Sequence, residues 1–346
     1  MKATKLLEYK FSGKRDITSR KPLVIDDKLI VLFNYNIDGF PHNEVICFNI
    51  HNFTILWKYE NSFVGNNILK TPNNNVLICY MDGKLIEINH KNGSPVEKFD
   101  LGMKKNGQTS NLYKNKIIIS GIQGTEETIC FDFDKRQVLW RVYNQGHSYI
   151  PFIYEDKVYQ CAEDKIVCRD LNSGSTIWKS SEKGNYNFHP NNFQSNIVVG
   201  GHGIIKFYNA INGKLLLQIN TENKETIYRI ISDENSIYFG DTSGIFYAYK
   251  ITEARNFLGT RTLNADLQWK FSSQGAIQSI PEILDEKIIF INDDKKLICL
   301  DKENGNLHWQ ININGEAGIS GLIFFENTII TSVSKGHIFK ITESNK

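Results

Sequence analysis

Cys168-Arg169-Asp170-Leu171-Asn172-Ser173-Gly174-Ser175-Thr176-Ile177-Trp178 is the stretch on which the reading of this chain turns. A short apolar strand ends at an Asp. A Gly-containing turn follows, and then an apolar residue and Trp. Near copies run from Cys47-Phe48-Asn49 to Leu56-Trp57 and from Cys130-Phe131-Asp132 to Leu139-Trp140. The clearest late copy is Cys299-Leu300-Asp301-Lys302-Glu303-Asn304-Gly305-Asn306-Leu307-His308-Trp309. Weaker copies fill the gaps. Asn89 and Asn92-Gly93 lead to Glu97, Asn209 and Asn212-Gly213 lead to Leu217, and Trp269 follows a longer connection. The Trp-equivalent positions are 57, 97, 140, 178, 217, 269 and 309, at intervals of 38 to 52 residues, and all five tryptophans fall in this register. Self-similarity at such a period marks a repeat architecture.

Within a copy the strands are short and rich in β-branched and aromatic residues. Lys157-Val158-Tyr159-Gln160-Cys161, Glu163-Asp164 and Lys165-Ile166-Val167-Cys168 read as one hairpin, and Asp82-Gly83 marks the turn of another. No long 3.6-residue apolar period is present. Four short strands per copy suit propeller blades. Glu8-Tyr9-Lys10-Phe11 resembles Trp57-Lys58-Tyr59 and reads as an outer strand without preceding partners. Thr328-Ile329-Ile330-Thr331 and Gly336 to Ile341 read as inner strands that lack an outer one. The chain is therefore expected to be an all-β, eight-bladed β-propeller with four-stranded antiparallel blades. Residues 1–346 would form a single domain, and the N-terminal strand would close the last blade. Seven blades is the alternative where the copies are weakest. Pro22, Pro151, Pro190 and Pro281 each lie seven residues before Leu29, Val158, Ile197 and Ile288. Proline cannot donate a ladder hydrogen bond, so this register places it at the innermost strand, beside the central channel.

The 346 residues are 41% hydrophobic, enough for a sizeable core, and 40 basic against 38 acidic side chains leave a formal charge of only +2. That balance argues against a nucleic-acid partner. Lys14, Arg15, Arg20 and Lys21 form a small basic cluster, expected to be a solvated loop. The first residues lack the apolar run of a signal peptide, and no stretch approaches the roughly 20 apolar residues of a membrane span. A cytoplasmic location and no membrane partner are the corresponding expectations.

Most residues that could carry chemistry have a structural reading. Trp57, Trp140, Trp178, Trp269 and Trp309 recur with the repeat, so each ring is expected to dock between blades with its N–H satisfied. The Asp or Asn at 49, 89, 132, 170, 209 and 301 recurs once per blade and is expected to hold a turn. Cys47, Cys130, Cys168 and Cys299 lie ten residues before a Trp-equivalent, with Ala248 in a matching place. They read as small apolar packing groups on separate blades, too far apart for disulfides. Cys79 and Cys161 lie outside that register. The eight histidines show no metal-site spacing, and no nucleophile, P-loop or dinucleotide motif occurs. Gly200-Gly201-His202-Gly203 is expected to be a tight turn. No catalytic residue, metal site or cofactor is expected.

The Cys-x-Asp, Asn-Gly, Trp phrase resembles the repeat of pyrroloquinoline-quinone-type propellers, the quinoprotein alcohol dehydrogenase-like superfamily. The likeness covers nearly the whole chain, with degenerate copies. It implies an eight-bladed propeller with Trp docking between blades, and the superfamily includes non-catalytic scaffolds such as the outer-membrane assembly propeller. The vicinal Cys-Cys pair of the quinone enzymes is missing here. The expected function is a non-catalytic, monomeric, protein-binding scaffold, most specifically an immunity protein that neutralises a toxin domain. The alternative is a propeller that holds a quinone or another small ligand as an enzyme or sensor.

Loops that enter the innermost strands share a face with loops between the second and third strands, and such loops are free to carry function. Aligned on the proline register, Arg20, Asn67, Gln108, Tyr149, Phe188 and Tyr228 are expected to ring one channel mouth, with Lys21, Thr109, His189 and Arg229 following. Residues 34–43 lengthen the first hairpin on that face, bringing Phe40 and His42 to a partner. Residues 253–266 lengthen a connection on the opposite face.

Overall fold

The computed structural model describes residues 2–103, 106–121, 127–143, 150–162, 165–182, 189–255, 257, 261–315 and 321–344. The expected phrase becomes one blade after another. Eight antiparallel sheets form, from residues 15–61, 65–100, 106–143, 152–179, 191–220, 227–272, 282–312 and 322–344. We call these blades 1 to 8 in chain order. Lys2–Lys10 pairs with His337–Ser344 as the outer strand of blade 8, from Lys2 opposite Ser344 to Lys10 opposite His337. Ser334–Gly336 makes a single 3₁₀ turn in that blade.

The middle strands are buried on both faces. Val76–Tyr80 and Asn196–Gly200 have no exposed residue. A blade therefore cannot stand alone, and its apolar faces are covered by the blades before and after it. Ile30 and Leu32 of blade 1, for example, share a cluster with Ile78 and Tyr80 of blade 2. Closing the ring removes the last uncovered faces.

The tryptophans make the seams. Cys47, Cys130, Cys168 and Cys299 stand directly opposite Trp57, Trp140, Trp178 and Trp309 on the neighbouring strand, and Ala248 stands opposite Trp269. The ladder register shifts immediately after each of these pairs, and such a bulge bends and twists the strand. The indole then reaches the next blade. Its N–H donates to the carbonyl of His90 (2.9 Å), Leu171 (2.9 Å), Ala210 (3.1 Å) or Lys302 (3.1 Å), in each case the residue after the repeat's Asp or Asn. Trp309, at the seam between blades 7 and 8, donates to the Glu343 carboxylate at 2.8 Å instead.

The repeat glycine is the other half of the seam. A Cβ on Gly93, Gly174, Gly213 or Gly305 would come within 2.6 Å of the docked indole, and each of the four has φ between +70° and +73°. The Asp or Asn that begins the turn holds it from within. Asn89, Asp170, Asn209 and Asp301 each accept from the backbone N–H two residues on.

Three of the eight seams lack the indole. Between blades 8 and 1, Tyr9 meets Phe48 edge-on with ring centroids 4.7 Å apart, and Lys340 Nζ donates to the carbonyl of Ile50 (3.1 Å), the residue after Asn49. Where Glu97 replaces it, Arg136 of blade 3 bonds both Glu97 (2.8 Å) and buried Glu87 (3.0 Å). Where Leu217 replaces it, Leu217 packs with Ile251 and Leu263 of blade 6. Those two residues belong to the lengthened hairpin Ile245–Arg255 and Arg261–Ser272. The insertion thus supplies apolar cover at a seam with no tryptophan.

The eight blades form as expected, with one refinement. Blade 1 has a fifth strand, because both Arg15–Ser19 and Leu23–Ile25 pair with the long strand Lys28–Ile37. Of the basic cluster, Arg15 enters a strand, Lys14 and Lys21 are exposed outside any strand as expected, and Arg20 is half-buried. The lengthened hairpin offers extra edge at Asn34 and Asn36, which Thr18 and Arg15 take. Gly200–Gly203 does form the expected turn, with Gly203 at φ +64°.

Gly174→Ala should lower stability by about 2–4 kcal/mol, because it adds a clash with Trp140 to the left-handed backbone. Gly13 has φ +81° with nothing near its Cβ position, so Gly13→Ala should cost about 1–2 kcal/mol. Equal losses in urea unfolding would show that the turn bears no load.

Candidate functional site

The innermost strands begin at one face and line a central cavity of about 550 Å³. Pro22, Pro151 and Pro190 border it as the proline register requires, and Pro281 immediately precedes the innermost strand Glu282–Leu284. The ladder shifts register near the start of four of these inner strands, between Arg15 and Thr18, Gly65 and Asn67, Asn106 and Gln108, and Ile227 and Ile230. Bulges re-aim side chains, and here they lie where the cavity opens.

The expected mouth residues divide. Arg20, Asn67, His189 and Arg229 border the cavity, together with Lys21, Thr109 and Ile150. Tyr228 is partly buried but does not border it. Gln108 lies in the strand Asn106–Thr109. Tyr149 and Phe188 lie outside the described residues. Phe40 is 70% exposed beyond the Asp38-Gly39 turn. His42, two residues on in the same strand, stands opposite Tyr35 and stacks on it with ring centroids 5.9 Å apart. Asn34 holds the base of that hairpin by accepting from the Gly65 N–H at 2.8 Å and donating to the Gly65 carbonyl at 2.9 Å.

Some lining groups also tie blades together. Asn67 donates to the Thr109 hydroxyl (2.9 Å), and Arg20 Nε donates to the Asn66 carbonyl (3.0 Å). Lys21 crosses over Gly321 of blade 8 to pair with Glu282 of blade 7 at 2.7 Å. A side chain at 321 would collide with the Lys21 stem.

The described lining carries Arg20, Lys21, Lys70 and Arg229 and contains no Asp or Glu. Burial pushes the Arg20 guanidinium down from its ordinary value and brings Arg229 down to about 9. A guanidinium nevertheless carries its charge at neutral pH.

Carboxylate ligands for calcium are therefore absent from the described lining. Among the described residues no group of three or more His, Cys, Asp and Glu comes together to hold a metal. All six cysteines are buried thiols outside any disulfide. A quinone–calcium pair does not fit this donor set.

The arrangement defines a propeller of the pyrroloquinoline-quinone-like class. The chain belongs to the family whose model is described as outer membrane protein assembly factor BamB, which it matches over residues 6–180 and 260–345. The unmatched stretch holds blade 5 and most of blade 6, where Leu217 stands for Trp, yet the same topology continues through it. Among solved structures, a computationally designed protein, Ika8, superposes with TM-score 0.75 at 12% identity, over 95% of this chain and 98% of that one. BamB from Moraxella catarrhalis superposes with TM-score 0.71 at 14% identity, over 99% and 100%. A europium-containing methanol dehydrogenase gives 0.69 at 11% identity, over 99% and 93%. At these identities the likeness is one of fold. No curated protein matches the chain in sequence.

Burial raises the thiol pKa of Cys47, Cys79, Cys130, Cys168 and Cys299 to about 12 and pushes Cys161 up as well. The native thiols should resist a thiolate-directed reagent at pH 8, whereas all six should react in denaturant. These shifts also set a pH trend. The unfolded chain loses these protons near pH 9 and the native chain keeps them, so their contribution to stability should fall as pH rises above about 9. Fast labelling of the native chain would contradict this account.

Proposed function

We propose that this chain is a non-catalytic protein-binding scaffold whose partner face is the channel mouth and the hairpin beside it. The carrying observation is Phe40. A large aromatic ring stands 70% exposed at the end of a hairpin longer than the repeat requires, on a stem fixed to blade 2 through Asn34 and Gly65. An exposed aromatic on a rigid mount is the kind of residue that carries binding energy at an interface. The family's description as an assembly factor supports a protein partner. The lining supports binding over catalysis, because no described carboxylate stands beside His189 to form an acid–base pair.

The more specific reading is an immunity protein that covers a toxin domain with this face, acting as a cytoplasmic monomer. A near-neutral chain whose recognition loops gather on one face suits that duty. In a pull-down with the product of the adjacent gene, the chain should retain that product. Phe40→Asp should weaken the complex at least about tenfold, near 1.4 kcal/mol, without altering the melting temperature. If that product is a toxin, co-expression should restore growth and Phe40→Asp should abolish the rescue. Undiminished affinity in a Phe40→Asp, His42→Ala double variant would remove this face from the account.

A further inference from the structure

The whole chain is almost charge-balanced, with 40 basic and 38 acidic side chains, so a cavity lined by one sign is not a consequence of composition. Four cations reach the central cavity from blades 1, 2 and 6, and no described lining residue is acidic. Lys21 is paired with Glu282 at the edge, which leaves Arg20, Lys70 and Arg229 without a carboxylate in the described lining.

Arg229 differs from its counterparts. Arg141 and Arg261, also partly buried, are paired with Glu127 and Glu253, and buried Arg169 donates to the Gly174 carbonyl and the Thr176 hydroxyl. Arg229 lies in the cavity wall, and burial alone accounts for its lowered pKa, with no acidic neighbour acting on it. A guanidinium held partly out of water without a counter-charge is costly, and a bound anion would offset that cost. One blade away, His189 borders the same cavity, and its Nδ1 is buried without a hydrogen-bond partner. The remaining wall is largely aliphatic, including Ile68, Ile150, Ile230 and Ile280, and an aliphatic wall strengthens any charge interaction inside it. The volume falls within the range of about 300–1,000 Å³ usual for small-molecule sites.

We propose that the central cavity is a receptor for a small oxyanion, a carboxylate or phosphate compound, with Arg229 as the principal anchor. Arg20 and Lys70 add attraction from other sides of the ring, and His189 offers a further polar contact. The proposal goes beyond the scaffold reading and needs no protein partner, so the two stand or fall separately.

The test is calorimetric titration of the full chain with sodium phosphate and, separately, sodium succinate, at ionic strength fixed with sodium chloride. At least one probe should bind saturably at one site per chain. Arg229→Gln should weaken that binding tenfold or more, Arg229→Lys should recover part of it, and Lys91→Gln on the outer surface should leave it unchanged. Preference for phosphate or for succinate assigns the ligand class. Should Arg229→Gln fold poorly, Lys70→Gln takes its place, with a loss of threefold or more expected. No saturable heat with either probe, or equal affinity in the folded anchor variants, overturns the proposal.

Discussion

An indole laid on the glycine turn of the next sheet is the contact that makes this ring possible. A four-stranded blade with both faces apolar has no stable existence in water by itself. Each needs a cover on either side, and the cover must arrive at a fixed angle. The repeat solves this locally. A small Cys or Ala opposite the tryptophan leaves room for it, and a bulge at that point turns it outward. A side-chain-free glycine receives it, and one carbonyl takes its N–H. The three seams without tryptophan confirm the need, since an ion-pair cluster fills one, an enlarged hairpin covers another and Tyr9 on Phe48 closes the third.

This design separates duties by face. The turns that dock with tryptophan connect the third and fourth strands of a blade. The cavity mouth lies at the other end, where innermost strands begin. Residues there carry less of the load that holds blades together, so they can be chosen for charge and reach. The separation is incomplete. Arg20, Asn67 and Lys21 each also bridge neighbouring or next-neighbouring blades.

The seams were legible in the sequence because tryptophan, glycine and Asp or Asn recur at one spacing and each has a narrow physical role. Proline likewise marked the channel wall, since its missing N–H excludes it from a central strand. The wall's composition was legible less well. Inner strands are short and bulged, and counting along them does not separate Arg229, which borders the cavity, from Tyr228, which does not. The strand at Arg15–Ser19 was not legible, because nothing local reveals that Lys28–Ile37 extends far enough to pair with it. Lys70, another cavity-lining cation, carries no signal in sequence beyond its place after Leu69.

Lys2 lies opposite Ser344, so both ends of the described chain leave from one edge of the last blade. An opposing pull on the two ends would open that ladder one bond at a time, like a zip, instead of shearing all its bonds together. The ring is thus mechanically weakest at its own fastening. A force applied there would release the first strand and uncover the apolar seam beneath Ala3 and Phe339 before any other blade yielded.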